Sequence, residues 1–386
     1  QVEMVALPLL HPPGEAQVDF GETTFIERGI SYTGYHLAVT FPHSDAKFTQ
    51  LFKGQNSDCL EQGLIDIFCH IGRVPDSIRF DNMSTVVKSI KALGEREVTE
   101  RFRRLQCHFG FKSNFCNPSA GHEKGSVENY VGYSRRNYFV PVPEFDDLEV
   151  YNKNLLLRCE AELDREHYKH ERKVRDLFEE DKRRMKPLPS YPYETYHYVP
   201  AMTNNYGMVK YKTNSYSTAG NLRRCEVTLK VGAHNVTILD GTMRPVVTHK
   251  RLYGANKESM IWSPYLNVLA KRPNALRYSS FFEQLPEPLH NFIAGCSLPE
   301  KKTLLTELSR TSQKAGLPQA VGAMTDALEF APRDAESLLA AYAFVLNGPQ
   351  ELSKNEMPEH IPTLPEYEIS LTAYKALLGG AICNKT

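Results

Sequence analysis

The first eighty residues alternate between short apolar runs and one longer run with helical spacing. Residues 16–20 and 35–41 have the apolar and β-branched composition of strands, with a turn-rich stretch between them. Residues 59–71 place Leu, Ile and Phe at helical spacing. Residues 77–80 form a short apolar strand that runs directly into Asp81. This part of the chain therefore predicts strands joined by a crossover helix.

The pattern continues with a helix around residues 97–108, a strand near 109–115 and a helix over 123–138. Strands that alternate with helices are typical of a layered sheet with helices on its faces. We therefore predict an α/β domain over residues 1–145.

The spacing of hydrophobic residues along the chain changes twice after this domain. Residues 146–195 predict charged helices followed by a Pro-rich linker. Residues 196–258 predict short strands separated by Gly and Asn turns, with a hairpin at Asp240-Gly241, and we expect them to form a small all-β barrel. Residues 259–386 return to a helical pattern, so we expect a helical C-terminal region that binds a partner.

Charge is balanced overall, with 46 basic and 46 acidic residues, but it is segregated along the chain. Residues 101–137 hold seven basic and two acidic residues, and residues 209–257 hold nine and two. Residues 283–370 reverse this, with six basic and thirteen acidic residues. The two basic regions indicate a polyanion partner, and the acidic one indicates a different role.

Three carboxylates occupy positions that can converge. Asp19 lies at the end of one predicted strand, Asp81 ends another, and Glu128 lies early in the helix that follows. Such a set can hold two divalent cations for in-line phosphoryl displacement, because Mg²⁺ prefers a few carboxylates and fills its shell with water and substrate. Alone, each residue is more often a turn or cap residue, so the hypothesis depends on the combination.

The sequence motifs around these carboxylates resemble those of a known family. Residues 17–22 (QVDFGE), the triplet FDN at 80–82 and the run HEKGSVEN at 122–129 resemble IstA-type transposases of the IS21 insertion-sequence family. The resemblance continues through NYFVP at 137–141 and covers residues 1 to about 290. These DDE enzymes belong to the retroviral-integrase-like superfamily.

The resemblance implies a ribonuclease-H-like catalytic domain and a DNA transposase that cuts 3′ ends of an insertion sequence and joins them to target DNA. It assigns Asp19, Asp81 and Glu128 as catalytic and metal-binding residues for two Mg²⁺ ions, with Mn²⁺ as a substitute. Glu123 is a rival for the third place, but five residues separate it from Glu128 by about 140° around the helix, so both cannot face one site. The small barrel resembles the DNA-binding barrel of phage Mu-type transposases.

Basic side chains near these features are candidate DNA contacts. Lys124 and Arg135 share a helical face with Glu128, and Arg136 follows. In the barrel, loop positions next to strands hold two basic pairs that look like phosphate contacts: Arg223, Arg224, Lys250 and Arg251. The alternative is an ordinary solvated basic face.

Some motifs are missing from the sequence. It has no G-x-x-x-x-G-K-[ST] motif, so we expect no ATP hydrolysis. The resemblance implies a separate AAA+ ATPase helper of the IstB type, for which the acidic helical tail is the candidate surface unless it packs within the chain. The family's N-terminal helix-turn-helix region is not in this sequence, which starts at Gln1. No His-His-Cys-Cys module precedes the core, which argues against a retroviral integrase.

No apolar run approaches the ~18 residues that span a bilayer, and no secretory signal is recognisable. Cys107, Cys116 and His122 lack a fourth zinc ligand at suitable spacing, so we expect reduced cysteines. We expect a bacterial, cytoplasmic, nucleoid-associated enzyme that acts as a homo-multimer on transposon-end and target DNA. The alternatives are a nuclease or integrase of the same fold, and a catalytically inactive, domesticated DNA-binding protein.

Overall fold

The computed structural model describes residues 11–80, 86–90, 96–115, 125–220 and 222–348. The chain forms two compact units, residues 1–268 and 269–386. The first unit holds the α/β sheet and the small β region, and the second unit is helical. The four-part division at residues 145, 195 and 258 remains a prediction.

The α/β part begins with β1, and its elements are, in chain order, β1 (Glu15–Glu27), β2 (Ile30–Phe41), β3 (Ala46–Phe52), α1 (Ser57–Ile71), β4 (Arg73–Val74), β5 (Ser77–Phe80), β6 (Val87–Ile90), β7 (Arg96–Val98), α2 (Glu100–Phe109), β8 (Lys112–Phe115), α3 (Gly125–Tyr138), β9 (Glu144–Phe145), α4 (Leu148–Ala161), α5 (Val174–Arg184) and β10 (Lys186–Pro187).

The main sheet has the order β3-β2-β1-β5-β8, with β9 paired to the far end of β1. The strands β1, β2 and β3 are antiparallel neighbours, whereas β5 runs parallel to β1 and β8 parallel to β5. The expected α/β class is confirmed. The strand order places β1 at the centre of the sheet, between the antiparallel and the parallel halves.

The β1–β2 hairpin is longer than the sequence predicts. Arg28 and Gly29 both have left-handed backbone, with φ of 52° and 74°, and form a two-residue turn that matches the twist of the strands. The residues on either side, which the pattern assigns to a long turn, therefore continue as paired strand. The strand β3 was not predicted at all.

Helices α4 and α5 belong to the core of the sheet rather than forming a solvated insert. Leu155, Cys159 and Phe178 are buried in the same apolar cluster as β1 and β2. The Asn152 side chain accepts a hydrogen bond from Leu51 N at 2.8 Å and donates one to Leu51 O at 2.9 Å, which ties α4 to the edge strand β3. The strand β10 then pairs with β4.

The β region consists of two small sheets with one shared core. Its strands are β11 (His197–Met202), β12 (Met208–Tyr211), β13 (Asn214–Ser217), β14 (Glu226–Val231), β15 (Asn235–Leu239), β16 (Pro245–Lys250) and β17 (Glu258–Ser259). Four form the antiparallel sheet β11-β14-β15-β16, and three form the sheet β12-β13-β17. Val209 and Tyr216 from one sheet pack with Leu229 and Ile238 from the other. The all-β character is confirmed, but closure into a single barrel is not.

The described part of the second unit, residues 269–348, is helical, as expected. The C-terminal helices are α6 (Ser263–Lys271), which crosses the boundary between the units, α7 (Ser280–Glu283), α8 (Glu287–Gly295), α9 (Leu298–Ala315), α10 (Leu317–Asp326) and α11 (Ala335–Asn347). Leu338 and Tyr342 of α11 are buried, and α11 packs against α9 and α10. This apolar face is therefore covered within the unit, whereas Phe344 is 47% exposed.

Candidate active site

Asp19 lies near the middle of β1, the central strand of the main sheet. It is half-buried, and its Oδ1 accepts a hydrogen bond from the backbone N–H of Phe20 at 2.9 Å. Because side chains alternate along a strand, Asp19 shares one face of the sheet with Gly21 and Thr23. Glu22 lies on the other face and is exposed.

The neighbouring parallel strand ends beside Asp19. In the β1–β5 pairing, Val18 lies opposite Phe80. Asp19 directly follows the first of these residues and Asp81 directly follows the second. Asp81 itself lies outside the described residues, so its own position is not described.

Helix α3 crosses the face of β1 that carries Asp19. A Cβ atom built on Gly21 would lie 2.5 Å from Cγ1 of Val131 and 2.4 Å from Cε1 of His36, which is far inside normal contact distance. Only glycine fits here because α3 and β2 approach the strand so closely. Position 128 lies three residues before Val131 and therefore one turn earlier on the same side of α3. The side chain of Glu128 is outside the described part, as are Glu123 and Lys124.

His36 is a buried neighbour of this site that the sequence pattern did not reveal. It pairs with Gly21 across β1 and β2, and its ring lies 4.9 Å from that of Phe139. Burial, with the nearby positive charge of Arg135, lowers the pKa of His36 to about 4. The ring is therefore neutral at pH 7 and acts as packing beneath α3. No sequence motif distinguishes this histidine from an exposed one.

The described side chains, which do not include those of Asp81 and Glu128, contain no ready-made metal site. No group of three or more His, Cys, Asp or Glu residues suited to a metal ion occurs there. Cys107 is exposed, whereas Cys116 and His122 lie outside the described residues. The donor set that fits Mg²⁺ thus depends on carboxylates of which only Asp19 is described.

Some of the predicted DNA-contact residues are exposed, whereas others are paired with carboxylates of the chain itself. Arg135 and Arg136 are exposed in the last turn of α3. Arg223 and Arg224 are also exposed, and their Nε atoms donate to the Asn205 backbone and side-chain oxygens at 2.8 and 2.5 Å. These arginines therefore leave other guanidinium donors directed at solvent. Their role in DNA binding remains a prediction.

The other basic pair of the β region is already engaged by carboxylates. Lys250 Nζ lies 2.7 Å from Glu149 Oε1, and its side chain is 53% exposed. The side chain of Arg251 is 3% exposed, and its Nη1 donates to Asp58 Oδ2 at 2.6 Å and to Gly232 O at 2.7 Å. The structure contradicts the prediction of a phosphate contact at Arg251, because a phosphate cannot reach this buried guanidinium.

Arg251 instead belongs to a buried ionic cluster between the α/β sheet and the β region. Asp58, in the first turn of α1, also contacts Arg101 of α2 and lies 3.1 Å from Nδ1 of His197 in β11. Burial alone would raise the pKa of Asp58, but the His197 hydrogen bond and the charges of Arg251 and Arg101 lower it well below its usual range. The four residues thus join α1 and α2 to β11 and to the residue that follows β16.

Residues 188–261 match the family described as Mu transposase, C-terminal domain. A transposase of Aminobacter aminovorans is 30% identical over 290 residues, which cover 73% of this chain and 56% of that protein. A transposase for insertion sequences IS1326/IS1353 of Pseudomonas aeruginosa is 28% identical over 289 residues, which cover 72% of this chain and 56% of that protein. The chain is similar to transposases of insertion sequences.

The chain spans about half the length of the curated transposases it matches. Among solved structures, the catalytic core domain of HTLV-2 integrase in complex with magnesium aligns with a TM-score of 0.28 and 15% identity, over 44% of this chain and 98% of that one. A TM-score this low carries no conclusion about function. Among the described residues, no helix is long and apolar enough to cross a membrane.

Proposed function

We propose that this chain is the catalytic part of a DNA transposase of the IS21 type. It would cut the 3′ ends of an insertion sequence and join them to target DNA by a DDE mechanism, acting at bacterial DNA in the cytoplasm as a homo-multimer. The observation that carries the proposal is the β1–β5 register beneath α3. Asp19 and Asp81 directly follow paired residues, and position 128 lies on the helix that crosses the same face.

Asp19, Asp81 and Glu128 would hold two divalent cations, Mg²⁺ or Mn²⁺ as a substitute. Carboxylates are the side chains that Mg²⁺ prefers, and Asp19 is half-buried rather than enclosed in the core. When bound, the ions would supply charge stabilisation to the attacking and leaving oxygens of an in-line displacement. The chain's own contribution is to fix Asp19 within β1, to place position 81 directly after the paired strand β5, and to hold α3 close through Gly21.

Basic residues at the end of α3 and in the β region would bind the DNA backbone. Arg135, Arg136, Arg223 and Arg224 support this because they are exposed. Lys250 is half-exposed and paired with Glu149, so it is the weaker candidate. The similarity of residues 188–261 to a Mu transposase domain supports a nucleic-acid role for the β region.

The acidic helical unit would bind a protein partner, an AAA+ ATPase helper of the IstB type. The excess of acidic residues over 283–370 disfavours close contact with DNA. The described partner-facing candidates are exposed apolar side chains such as Phe330 and Phe344, whose rings lie 5.6 Å apart. Leu338 and Tyr342 are excluded because they are buried within the unit.

The catalytic proposal is tested with a labelled duplex carrying the ends of the element that encodes the chain. We expect Mg²⁺-dependent nicking and joining to plasmid DNA, and a loss of at least about 100-fold for Asp19→Asn, Asp81→Asn and Glu128→Gln. Glu22→Gln is the matched control, because Glu22 lies on β1 but on the opposite face. It should retain full activity.

The same assay separates the alternatives. Activity lost with Glu123→Gln and kept with Glu128→Gln would make Glu123 the third carboxylate. Nicking without joining would favour a nuclease of the same fold, whereas DNA binding without any metal-dependent cleavage would favour an inactive DNA-binding protein. An independent check is thermal: Mg²⁺ should raise the Tm of the wild-type chain and not that of Asp19→Asn, since a ligand stabilises only the state it binds.

A further inference from the structure

A short hairpin joins α4 to α5 and has a defined, exposed tip. Glu166 and Lys173 form a β-bridge, and His167 N donates to Arg172 O at 2.9 Å. At the tip, Lys169 N donates to Nδ1 of His167 at 3.1 Å. These bonds hold the segment 166–173, here called the tip hairpin, in one conformation.

The base of the tip hairpin is fixed to the main sheet. Arg165 Nη2 donates to Asp45 Oδ2 at 2.6 Å and to Asp45 O at 2.7 Å, in the turn between β2 and β3. Arg172 Nη1 lies 2.8 Å from Glu180 of α5. Both arginines are thus used for anchoring, and the ligand-binding capacity of the hairpin lies at its tip.

The tip presents an aromatic ring with a cation above it. Tyr168 is 70% exposed, and Nζ of Lys169 lies 5.1 Å from the centre of its ring. The His167 ring lies 4.8 Å from that of Tyr168 and 4.7 Å from that of His170. Tyr168 therefore presents a largely exposed aromatic ring beside a cation, and these are the two side-chain types on which single nucleic-acid strands are bound.

The tip forms one wall of a cleft that leads to α3. The cleft has a volume of about 760 Å³ and is lined by residues 167–170 together with His11, Pro42, His43, Asp45, Lys47 and Asn129. Asn129 directly follows position 128 in α3. The cleft therefore reaches the residue that follows position 128 in α3.

The lining of the cleft suits a nucleic-acid strand. Lys47 and Lys169 supply cations. Among the described residues that line the cleft, the one carboxylate is Asp45, which is already paired with Lys47 at 3.0 Å and with Arg165. Single strands are bound by this combination of cationic groove and aromatic surface. An acidic peptide would use the lysines but would leave the exposed ring of Tyr168 without a function.

We propose that this cleft binds the DNA strand next to the phosphodiester that is cut, with Tyr168 stacked on a base and Lys169 on a neighbouring phosphate. The inference rests on the proposed function, which places the reacting phosphate beside position 128. Tyr168 and Lys169 are thus assigned to binding the DNA and not to holding the metal ions.

The test measures DNA binding by fluorescence anisotropy without divalent cations, using a labelled duplex with a single-stranded 3′ overhang. Tyr168→Ala should bind about 5- to 150-fold more weakly, and Tyr168→Phe should bind like the wild type because it keeps the ring. Tyr278→Ala is the matched control: Tyr278 is 80% exposed and has Arg277 4.9 Å above its ring, but it belongs to the helical unit. It should not change binding.

Lys169→Ala should reduce the slope of log affinity against log salt by about one. Wild-type affinity in Tyr168→Ala, equal weakening in Tyr168→Phe, or equal weakening in Tyr278→Ala would each overturn the inference. Its failure is distinct from failure of the proposed function. If the chain cleaves DNA normally and Tyr168→Ala binds DNA like the wild type, only the proposal of DNA binding in the cleft is refuted. If the chain never cleaves DNA but needs Tyr168 to bind it, only the proposed catalytic function is refuted.

Discussion

Replacing Arg251 by Met tests whether this arginine is structural or binds DNA. Its guanidinium is buried against Asp58 and Gly232, so removing it leaves a buried carboxylate and a carbonyl with fewer partners. Breaking a buried ion pair from one side typically costs about 3–5 kcal/mol. Asp58 keeps its contacts with Arg101 and His197, so we expect the free energy of unfolding to fall by about 3 kcal/mol.

The assay is unfolding in urea, monitored by tryptophan fluorescence. The chain has one tryptophan, Trp262, and it lies in the first unit, so the signal reports the unit that contains the cluster. Lys250→Met is the matched control at the adjacent position. Lys250 is half-exposed, so the loss of its pair with Glu149 should cost at most about 1 kcal/mol.

The pH dependence provides a second readout. Because the partners of Asp58 lower its pKa, its contribution to stability is fully present above the ordinary carboxyl pKa and is lost as the pH falls. The difference between wild type and Arg251→Met should therefore shrink in acid. A stability loss below about 1 kcal/mol, with a DNA-binding salt slope reduced by about one, would refute the structural role and restore the phosphate contact.

Three further predictions follow from single contacts. Burial raises the pKa of Asp66 to about 6, so its ionised form destabilises the folded chain at higher pH. Asp66→Asn should therefore raise the Tm at pH 8, and thermal scans should show that this gain disappears near pH 4. Gly21→Ala should lower cleavage at least about tenfold, because a methyl group there overlaps α3 and β2, while Gly322→Ala, with open space around it, should not. Arg223→Ala with Arg224→Ala should reduce the salt slope of DNA binding by about two; an unchanged slope would make both ordinary surface residues.

Local patterns predicted most elements because the information they need is local. The helix α1 and the strand β5 were predicted within two residues at each end, since apolar spacing and flanking turns define them. The β1–β2 turn was predicted too long, because a polar hairpin tip resembles a loop while its strands are held by pairing with each other. Strand β3 was missed because its residues 46–52 mix polar and apolar side chains that both become buried.

The candidate site shows the same division. The carboxylates were proposed from motif words, and the register of β1 and β5 supports two of them only through their neighbours. Arg251 was misassigned because a basic pair at a strand end looks identical in sequence whether it faces solvent or a buried Asp58 193 residues away. The burial of His36 and the cleft beside the tip hairpin depend on contacts between distant segments, which no spacing in the sequence encodes.

The pairing of β10 with β4 has a consequence for how the catalytic domain can be isolated. A fragment that stops near residue 145 would remove α4 and α5, and it would expose the apolar side chains that Leu155, Cys159 and Phe178 now cover. It would also leave Leu51 without its hydrogen bonds to Asn152. The shortest soluble fragment with an intact sheet should therefore extend through Pro187, where the chain returns to β4 and closes the domain.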